Sequence, residues 1–328
     1  MHTAWLVREP GGSFLETELA RPSLGSGEVL VRIHAGGVNS LDTKIRAGKA
    51  AHAKQPLPAV LGLDMAGIVE EVGQGVTAFK PGDEVYGMAG GVGGHQGTLA
   101  ELIAADADLL AHKPTNLSMR QAAALPLGVI TAWEGLVDRA EVHADQTVLV
   151  HAGAGGVGHI AIQIARAHGA KVFATVSQNK QKIVEDFGAS PIDYRSTTVE
   201  DYVSYATGGK GFDIVFDTVG GATLDASFLA VKRYTGHVVS SLGWGSHSLA
   251  PLSFKGATYS GVFTLLPLIT GENRAHHGSI LAQAAILAEQ GKLLPLLNDQ
   301  RYFTASLPGA YARVEAGSLG KVVIEIVR

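Results

Sequence analysis

The segment 147-TVLVHAGAGGVGHIAIQIARAHG-169 carries the strongest structural signal in this chain of 328 residues. The apolar run Thr147–Ala152 is typical of a strand that is buried on both faces, and Val157–His168 places apolar side chains at helical spacing. Between them the sequence fits the pattern G-x-G-x-x-G, whose glycines allow a tight turn, the approach of a pyrophosphate group and close packing of helix on strand. The turn therefore predicts a dinucleotide site whose contacts are Gly153, Gly155, Gly156, Val157 and Gly158.

Strands and helices alternate on both sides of this turn, from about residue 123 to residue 264. A short helix is predicted over Lys180–Phe187. This alternation is typical of parallel βαβ units, so we expect an α/β fold with a doubly wound parallel sheet. Apolar segments typical of its strands recur at Lys171–Val176, Phe212–Asp217, Gly236–Ser241 and Thr258–Phe263.

The rest of the chain has a different pattern. Residues 1–122 are punctuated by glycine and proline, and Glu28–Ala35 alternates apolar and polar residues as a half-buried strand does. From about Leu265 the alternation of strands and helices stops, and the segment that follows is too short to form a domain. We therefore expect residues 265–328 to complete a discontinuous, β-rich domain that begins with residues 1–122.

The composition excludes several classes of protein. Hydrophobic residues make up 46% of the chain and charged residues 17%, which excludes a disordered chain and a coiled coil. A net charge of −4 gives no general attraction to nucleic acid or anionic lipid, so neither is expected as a partner. Arg8 and Glu9 are charged where a signal peptide would be apolar, and no apolar run approaches the roughly 20 residues of a membrane helix. We therefore expect a cytoplasmic protein without a membrane partner.

The strand that follows the glycine turn ends without an acidic residue. A site for NAD usually places Asp or Glu at this position, where it binds the ribose 2′-hydroxyl. Here Val176 is followed by Ser177, Lys180 and Lys182, which offer a hydroxyl and two positive charges. A 2′-phosphate carries about two negative charges and is bound by such donors. The sequence thus favours NADP(H) and leaves open which of the two lysines contacts the phosphate.

Four segments in this order resemble the medium-chain dehydrogenase/reductase superfamily: Gly37–Asp42 (GVNSLD), Leu61–Val69 (LGLDMAGIV), Pro81–Val85 (PGDEV) and the glycine turn. The chain is most similar to the zinc-independent quinone oxidoreductase branch, which includes zeta-crystallin. The resemblance extends over essentially the whole chain. It implies a GroES-like catalytic domain over residues 1–122 and 265–328, a Rossmann domain over residues 123–264 that binds NADPH, and a homodimer.

The same resemblance implies roles for individual residues by matching position. Asn39 and Thr131 match residues beside the nicotinamide. Lys44 is a departure, because the branch often has tyrosine at this position. Residues that contact the adenosine 2′-phosphate are matched by Ser177, Lys180 and Tyr194, and backbone segments that flank the nicotinamide are matched by Ser241, Leu242, Gly243, Val262 and Phe263.

A metal site is not expected. Zinc members of the superfamily have a cysteine ligand near Asn39 and a His-Glu pair where this chain has Leu63 and Asp64, and this chain contains no cysteine. A carboxylate site formed by Asp42 and Asp64 is the weaker alternative. Asp42 is expected instead to cap a helix that begins near Thr43.

Without a Lewis acid, hydride transfer depends on positioning and on polar hydrogen-bond donors. The substrate is therefore expected to be electrophilic already, as a quinone or an α,β-unsaturated carbonyl compound is. Asn39 and Lys44 are the candidate donors that would polarise it. Two alternatives stay open: a zinc-free reductase of the alcohol dehydrogenase type that acts on saturated aldehydes, and an NADPH-binding protein without catalytic activity.

The last strand predicted for the parallel sheet, Thr258–Phe263, is expected to lie at an edge of that sheet. Exposed edges are usually protected, and pairing with the same strand of a second subunit is one symmetric way to protect this one. The edge strand agrees with the homodimer that the resemblance implies.

Overall fold

The computed structural model describes residues 1–326, so the last two residues of the predicted discontinuous domain lie outside the described part. The chain forms two compact units: unit 1 consists of Met1–Leu127 and Leu265–Arg328, and unit 2 of Gly128–Thr264. In this division the first segment of unit 1 ends at Leu127, whereas the sequence placed the boundary after residue 122.

The first segment of unit 1 is mainly β-structure. Its strands pair mainly antiparallel. Strand Asp64–Val72, for example, runs antiparallel to two neighbours, Glu28–Val38 and Glu84–Met88. In chain order the elements are β1 (His2–Val7), β2 (Leu15–Leu19), β3 (Glu28–Val38), α1 (Ser40–Arg46), β4 (Ala59–Val60), β5 (Asp64–Val72), β6 (Glu84–Met88), β7 (Leu102–Asp106), β8 (Leu110–His112) and α2 (Met119–Ala122). Helix α3 (Pro126–Trp133) begins at the end of this segment, and most of its residues belong to unit 2.

Unit 2 is a doubly wound α/β fold, which confirms the predicted fold class. Its six strands are all parallel and follow the order β11-β10-β9-β12-β13-β14. This is the order 3-2-1-4-5-6 of a dinucleotide-binding sheet, with its switch point between β9 and β12. The elements are β9 (Thr147–Val150), α4 (Gly158–Ala167), β10 (Lys171–Val176), α5 (Gln181–Asp186), β11 (Ser190–Asp193), α6 (Val199–Thr207), β12 (Ile214–Asp217), α7 (Ala222–Ala230), β13 (His237–Ser240), α8 (Ala250–Lys255) and β14 (Thr258–Gly261).

The chain then returns to unit 1. Strand β16 pairs antiparallel with β3, which places it in a seven-stranded sheet of order β15-β16-β3-β5-β6-β8, with β7 also paired to β3. Strands β2, β1 and β4 form a separate small sheet. The returning elements are α9 (Leu266–Thr270), α10 (Arg274–Glu289), β15 (Tyr302–Phe303), α11 (Leu307–Glu315) and β16 (Val322–Glu325).

Each unit has its own hydrophobic core. In unit 2 the core includes Leu149 of β9, Phe212 and Phe228, all of which are buried. In unit 1 the buried Tyr86 of β6 donates a hydrogen bond of 2.6 Å to the carbonyl oxygen of Leu281, which ties α10 to the sheet. Burial of these side chains drives the association of elements that are distant in the sequence. Among residues 1–326, no helix is long and apolar enough to cross a membrane.

Candidate functional site

The glycine turn lies between β9 and α4, as the sequence predicted. A Cβ atom on Gly153 would lie 2.6 Å from the Cβ of Ala174, and one on Gly158 would overlap the carbonyl oxygen of Ala152. These two glycines therefore allow the close packing of the turn. A Cβ on Gly156 would meet nothing within 4 Å, so this glycine faces open space in which a ligand has room.

The open space beside Gly156 is lined by hydrogen-bond donors. In residues 1–326, the backbone N–H groups of Gly156, Val157 and Gly158 have no acceptor within the chain. Gly158 begins α4, a helix of ten residues, and a helix N-terminus carries free N–H groups and partial positive charge. The turn thus has the geometry that binds a pyrophosphate.

Two buried histidines support this turn. His159 lies 2.7 Å, through Nδ1, from the carbonyl oxygen of Gly155, and His151 Nδ1 lies 3.1 Å from the hydroxyl of Thr175. Burial lowers the pKa of His151 to about 4, so this ring stays neutral at physiological pH. Both rings thus contact polar groups beside the glycine turn.

The predicted 2′-phosphate contacts come from two adjacent strands. Val176, the last residue of β10, is in register with Asp193, the last residue of β11. Ser177 and Tyr194 therefore follow neighbouring strand ends at the same edge of the sheet. Lys180 belongs to a short 3-10 turn, Gln178–Lys180, and its N–H donates a hydrogen bond of 2.8 Å to the carbonyl oxygen of Ser177.

The two candidate lysines differ in their partners. Lys182 lies on the exposed face of α5, where its ammonium group is 2.5 Å from the carboxylate of Asp186. Lys180 has no ion pair in the part of the chain that the structure describes. The guanidinium of Arg195 lies 5.6 Å from the ring centre of Tyr194, which adds a positive charge that the sequence analysis missed. Its position directly after Tyr194 was the available signal.

The segments that match the nicotinamide-side backbone lie at the ends of β13 and β14. The fully buried carboxylate of Asp217 accepts hydrogen bonds from the N–H groups of Val219 and Gly220, each 3.0 Å, and from the Ser240 hydroxyl, 2.7 Å. That hydroxyl in turn accepts the N–H of Leu242 at 3.1 Å. Asp217, which the sequence analysis missed, thus holds the turn after β12 and the segment after β13 together.

Two further predicted residues are placed by close contacts in unit 2. The hydroxyl of Thr131, on α3, lies 3.0 Å from the hydroxyl of Thr264, the residue after Val262 and Phe263. A Cβ on Gly243 would overlap the hydroxyl of Tyr259 in β14. The structure therefore fixes these segments relative to the parallel sheet. Thr131 thus contacts Thr264, which lies three residues after the end of β14.

In unit 1, Asn39 belongs to a buried polar group that we call the Asp64 cluster: Asn39, Asp64 and Lys321. The side-chain N–H of Asn39 donates a hydrogen bond of 2.9 Å to Asp64 Oδ2, and the Lys321 ammonium lies 3.0 Å from the same oxygen. The ammonium also donates to Asn39 Oδ1. Asp64 Oδ1 accepts the backbone N–H of Leu127 at 2.9 Å. Lys321 was not predicted as a site residue, although it lies in the segment Gly320–Val323, to which the family resemblance extends.

Asp42 caps helix α1, but from a different position than the sequence suggested. The helix begins at Ser40, and Asp42 lies in its first turn, where its carboxylate accepts the N–H of Asn39 at 2.8 Å. The expectation of a helix start near Thr43 was wrong, because Asn39 takes the N-cap position. Burial raises the pKa of Asp42 to about 7, with a smaller contribution from the negative charge of Asp64.

Lys44 is exposed, unlike the buried residues of the Asp64 cluster. It lies on the exposed side of α1, whereas Asp42, Thr43 and Ile45 are buried. Its ammonium group makes no hydrogen bond or ion pair with residues 1–326. The ammonium group of Lys44 is therefore available to contact a ligand. Among the described residues, it is not hydrogen-bonded to Asn39.

The donor groups of unit 1 do not fit a zinc ion. The chain has no cysteine, and the described residues contain no group of three or more histidine, cysteine, aspartate or glutamate side chains that could hold a metal. The carboxylate of Asp64 is already paired with the ammonium of Lys321, and a second cation there would be repelled.

Comparison with known proteins supports the reading of both units. Residues 25–115 match the alcohol dehydrogenase GroES-like domain family, and residues 156–275 match the zinc-binding dehydrogenase family. The chloroplastic NADPH-dependent alkenal/one oxidoreductase of Arabidopsis thaliana is 35% identical over 333 residues, which cover 98% of this chain and 78% of that protein.

Solved structures agree. An alcohol dehydrogenase superfamily protein from Novosphingobium aromaticivorans is 55% identical, with a TM-score of 0.98 and complete coverage of both chains. The quinone oxidoreductase of Coxiella burnetii is 28% identical, with a TM-score of 0.82, and the match covers 100% of this chain and 99% of that one.

Proposed function

Because the chain belongs to the zinc-independent, zeta-crystallin-like quinone oxidoreductase branch of the medium-chain dehydrogenase/reductase superfamily, we propose that it is an NADPH-dependent reductase of quinones or α,β-unsaturated carbonyl compounds. The observation that carries this proposal is the open glycine turn beside a strand end that offers Ser177 and Lys180 and no acid. The relative that is named for NADPH and for alkenals and alkenones supports the same chemistry.

The cofactor is assigned to unit 2. The N–H groups of Gly156, Val157 and Gly158 would hold the pyrophosphate in the open space of the turn, while Gly153 and Gly155 shape its backbone. Such backbone donors bind an anion without a side-chain charge. They therefore orient the dinucleotide across the carboxyl edge of the sheet, with its two halves on opposite sides of the switch point.

We assign the 2′-phosphate to Ser177, Lys180 and Tyr194. Lys180 is preferred to Lys182 because the Lys182 ammonium is held by Asp186, and because the N–H of Lys180 is bonded to Ser177. The other half of the sheet edge is assigned to the nicotinamide. The residues proposed to contact the nicotinamide are Thr131, Ser241, Leu242, Gly243, Val262 and Phe263. Hydrogen bonds of Asp217 and Thr264 hold parts of these segments in place.

When bound, NADPH supplies a hydride, and an enone or quinone accepts it at an electron-poor carbon. Negative charge then develops on the carbonyl oxygen of the substrate, and hydrogen-bond donors that face that oxygen lower the barrier. We assign this donor role to Asn39. Lys44 stays a second candidate on the exposed side of α1. Water supplies the proton that completes the reduction.

The test is a turnover assay with the purified full chain and matched substrates. An enone and the saturated ketone of the same carbon skeleton should differ, with NADPH oxidation seen for the enone and for a quinone only. Turnover of a saturated aldehyde alone would favour the reductase of alcohol dehydrogenase type. NADPH binding, seen by fluorescence, without turnover of any of these compounds would favour the non-catalytic alternative.

We further propose a homodimer that forms through β14. This strand is the last in the order of the parallel sheet, and its residues are largely exposed. Pairing with β14 of a second copy would satisfy the free backbone groups of this edge. The cytoplasmic location stays a prediction from the sequence.

A further inference from the structure

The residues assigned to the 2′-phosphate supply little positive charge for it. A phosphate monoester carries about 1.5 to 2 negative charges at pH 7. Of Ser177, Lys180 and Tyr194, only the lysine is a cation. Lys182 does not add a second charge, because its ammonium group is 2.5 Å from the carboxylate of Asp186. The residues assigned so far therefore leave a large part of the phosphate charge without a cationic partner.

Arg195 lies at the strand end where this charge is needed. Strands β10 and β11 are parallel neighbours, and Val176 is in register with Asp193 at their carboxyl ends. Because adjacent strands lie about 4.8 Å apart, the residues that follow these two ends lie at one edge of the sheet. Ser177 follows the first strand end, and Tyr194 and Arg195 follow the second. The arginine therefore belongs to the same edge as the assigned phosphate contacts.

The position of Arg195 is defined by its own turn and by its neighbour. Asp193 Oδ1 accepts the backbone N–H of Arg195 at 3.1 Å, and the Asp193 carbonyl oxygen accepts the N–H of Ser196 at 3.2 Å. The guanidinium carbon lies 5.6 Å from the ring centre of Tyr194, a distance at which the face of an aromatic ring attracts a cation. The turn thus fixes the backbone of Arg195, and the ring holds its side chain at the strand end.

The guanidinium group has no carboxylate partner. Among residues 1–326, Arg195 forms no ion pair, and the carboxylate of Asp193 accepts its backbone N–H instead. The residue is exposed, so its charge is accessible to a ligand. A planar guanidinium can donate two parallel hydrogen bonds to the oxygens of a phosphate group, whereas a lysine ammonium binds as a point charge. Arg195 therefore has the charge and the donor geometry that a phosphate dianion requires.

We propose that Arg195 determines the specificity for NADPH: its guanidinium binds the 2′-phosphate and, with Lys180, neutralises that group. This inference rests on the proposed function, which places the phosphate at Ser177, Lys180 and Tyr194. NADH lacks the phosphate, so the guanidinium affects the choice between the two cofactors. An arginine that only held the ring of Tyr194 in place would instead act through the hydroxyl of that tyrosine.

The experiment measures the dissociation constants of NADPH and NADH by fluorescence of the reduced nicotinamide, with the purified full chain. Arg195→Met should weaken the binding of NADPH by about 10- to 100-fold, the range for loss of a charge-assisted hydrogen bond, and leave the binding of NADH unchanged. Arg195→Lys keeps the charge and loses the planar pair of donors. Its affinity for NADPH should therefore lie between those of the wild type and Arg195→Met.

The matched control is Arg233→Met. Arg233 is an exposed arginine of the same unit, but it precedes β13 and so lies at the amino edge of the sheet. Its replacement should leave both dissociation constants unchanged. Urea unfolding of each variant confirms that the compared proteins are folded.

A second background separates direct contact from an effect on the tyrosine. Tyr194→Phe keeps the aromatic ring and removes the hydroxyl. If the guanidinium binds the phosphate itself, Arg195→Met should weaken NADPH binding in this background by the same factor as in the wild type. The absence of any further loss would show that Arg195 acts only through the tyrosine hydroxyl, and would overturn the inference.

The outcomes distinguish this inference from the proposed function. A loss confined to NADPH in Arg195→Met, and absent in Arg233→Met, would support the role of Arg195. If the wild type prefers NADPH and Arg195→Met keeps the same preference, the role of Arg195 is wrong and the NADPH assignment stands. A wild type that binds both cofactors equally would overturn the 2′-phosphate site and this role with it. A protein that prefers NADPH through Arg195 but reduces neither enones nor quinones would overturn the proposed reaction and support the role of Arg195.

Discussion

Replacing Asp42 with asparagine should remove part of the pH dependence of the stability of unit 1. The Asp42 carboxyl is fully buried, and burial raises its pKa from an ordinary value of 3.8 to about 7. The negative charge of Asp64 raises the pKa further, whereas the N–H of Asn39 and the ammonium of Lys321 lower it. Asparagine keeps an oxygen that can accept the N–H of Asn39 but has no proton to lose.

The sign follows from proton binding in the two states. The folded state holds the Asp42 proton up to about pH 7, and the unfolded state releases it near pH 4. The unfolded state therefore binds fewer protons between these values, and wild-type stability falls as the pH rises through this window. At about 1.4 kcal/mol per pH unit, a gap of about 3 units gives on the order of 4 kcal/mol in total, and more than half of this change falls between about pH 5 and pH 8.

Urea unfolding followed by tryptophan fluorescence would measure this difference. The chain has three tryptophans, and the buried Trp5 is the one in unit 1. In a background with Trp133→Phe and Trp244→Phe, the signal reports on unit 1. Relative to the parent, Asp42→Asn should gain roughly 2–3 kcal/mol of stability between about pH 5 and pH 8. The exposed Asp108→Asn is the matched control, and an equal effect of Asp42→Asn at both pH values would refute the reasoning.

Four further outcomes are expected. The enzyme should prefer NADPH to NADH by about 10- to 100-fold in kcat/KM, the range given by charge-assisted hydrogen bonds. Lys180→Ala should reduce this preference more than Lys182→Ala does, and equal kcat/KM for both cofactors would contradict the predicted preference. Gly156→Ala should fold normally and bind NADPH more weakly, because the new methyl group enters the open space of the turn. Gly158→Ala should instead lose about 1–3 kcal/mol of stability through overpacking. A binding titration measures the first effect, and calorimetry measures the second. Elemental analysis of untagged protein should find no stoichiometric zinc, and chelators should leave turnover unchanged. Light scattering at micromolar concentration should give twice the monomer mass, and Gly261→Pro in β14, where the N–H points away from β13, should give monomers that keep their fold; a monomeric wild-type protein would refute the dimer.

Much of unit 2 could be predicted because its signals are local. The strand Lys171–Val176 has the predicted bounds, and the glycine turn has the predicted place between strand and helix. Helix α6 was missed although Thr198 and Asp201 form a capping box at its start, which was an available sequence signal. The strand predicted over Thr258–Phe263 ends at Gly261, because the chain leaves the sheet edge there.

The polar contacts of the site were harder to predict. Asn39 and Ser177 could be proposed as site residues from motifs, since their neighbours in the sequence form recurrent patterns. Lys321 could not, because its partners are more than 250 residues away and no spacing rule connects them. Asp217 looked like the end of one more apolar strand, and only the folded structure shows that its carboxylate accepts hydrogen bonds from the turn after β12 and from the Ser240 hydroxyl at the end of β13.

The return of the chain to unit 1 has a consequence for biosynthesis. The ribosome adds about 5–20 residues per second, so the 257 residues between Asp64 and Lys321 separate their synthesis by roughly 13–50 s. During that interval Asp64 has no ammonium partner, and β3 has a vacant neighbour that β16 will fill. Unit 2, which is continuous over Gly128–Thr264, emerges completely in the meantime. The sheet that contains β3 is therefore completed only after unit 2 has been made, because β3 and β16 lie on opposite sides of unit 2 in the sequence.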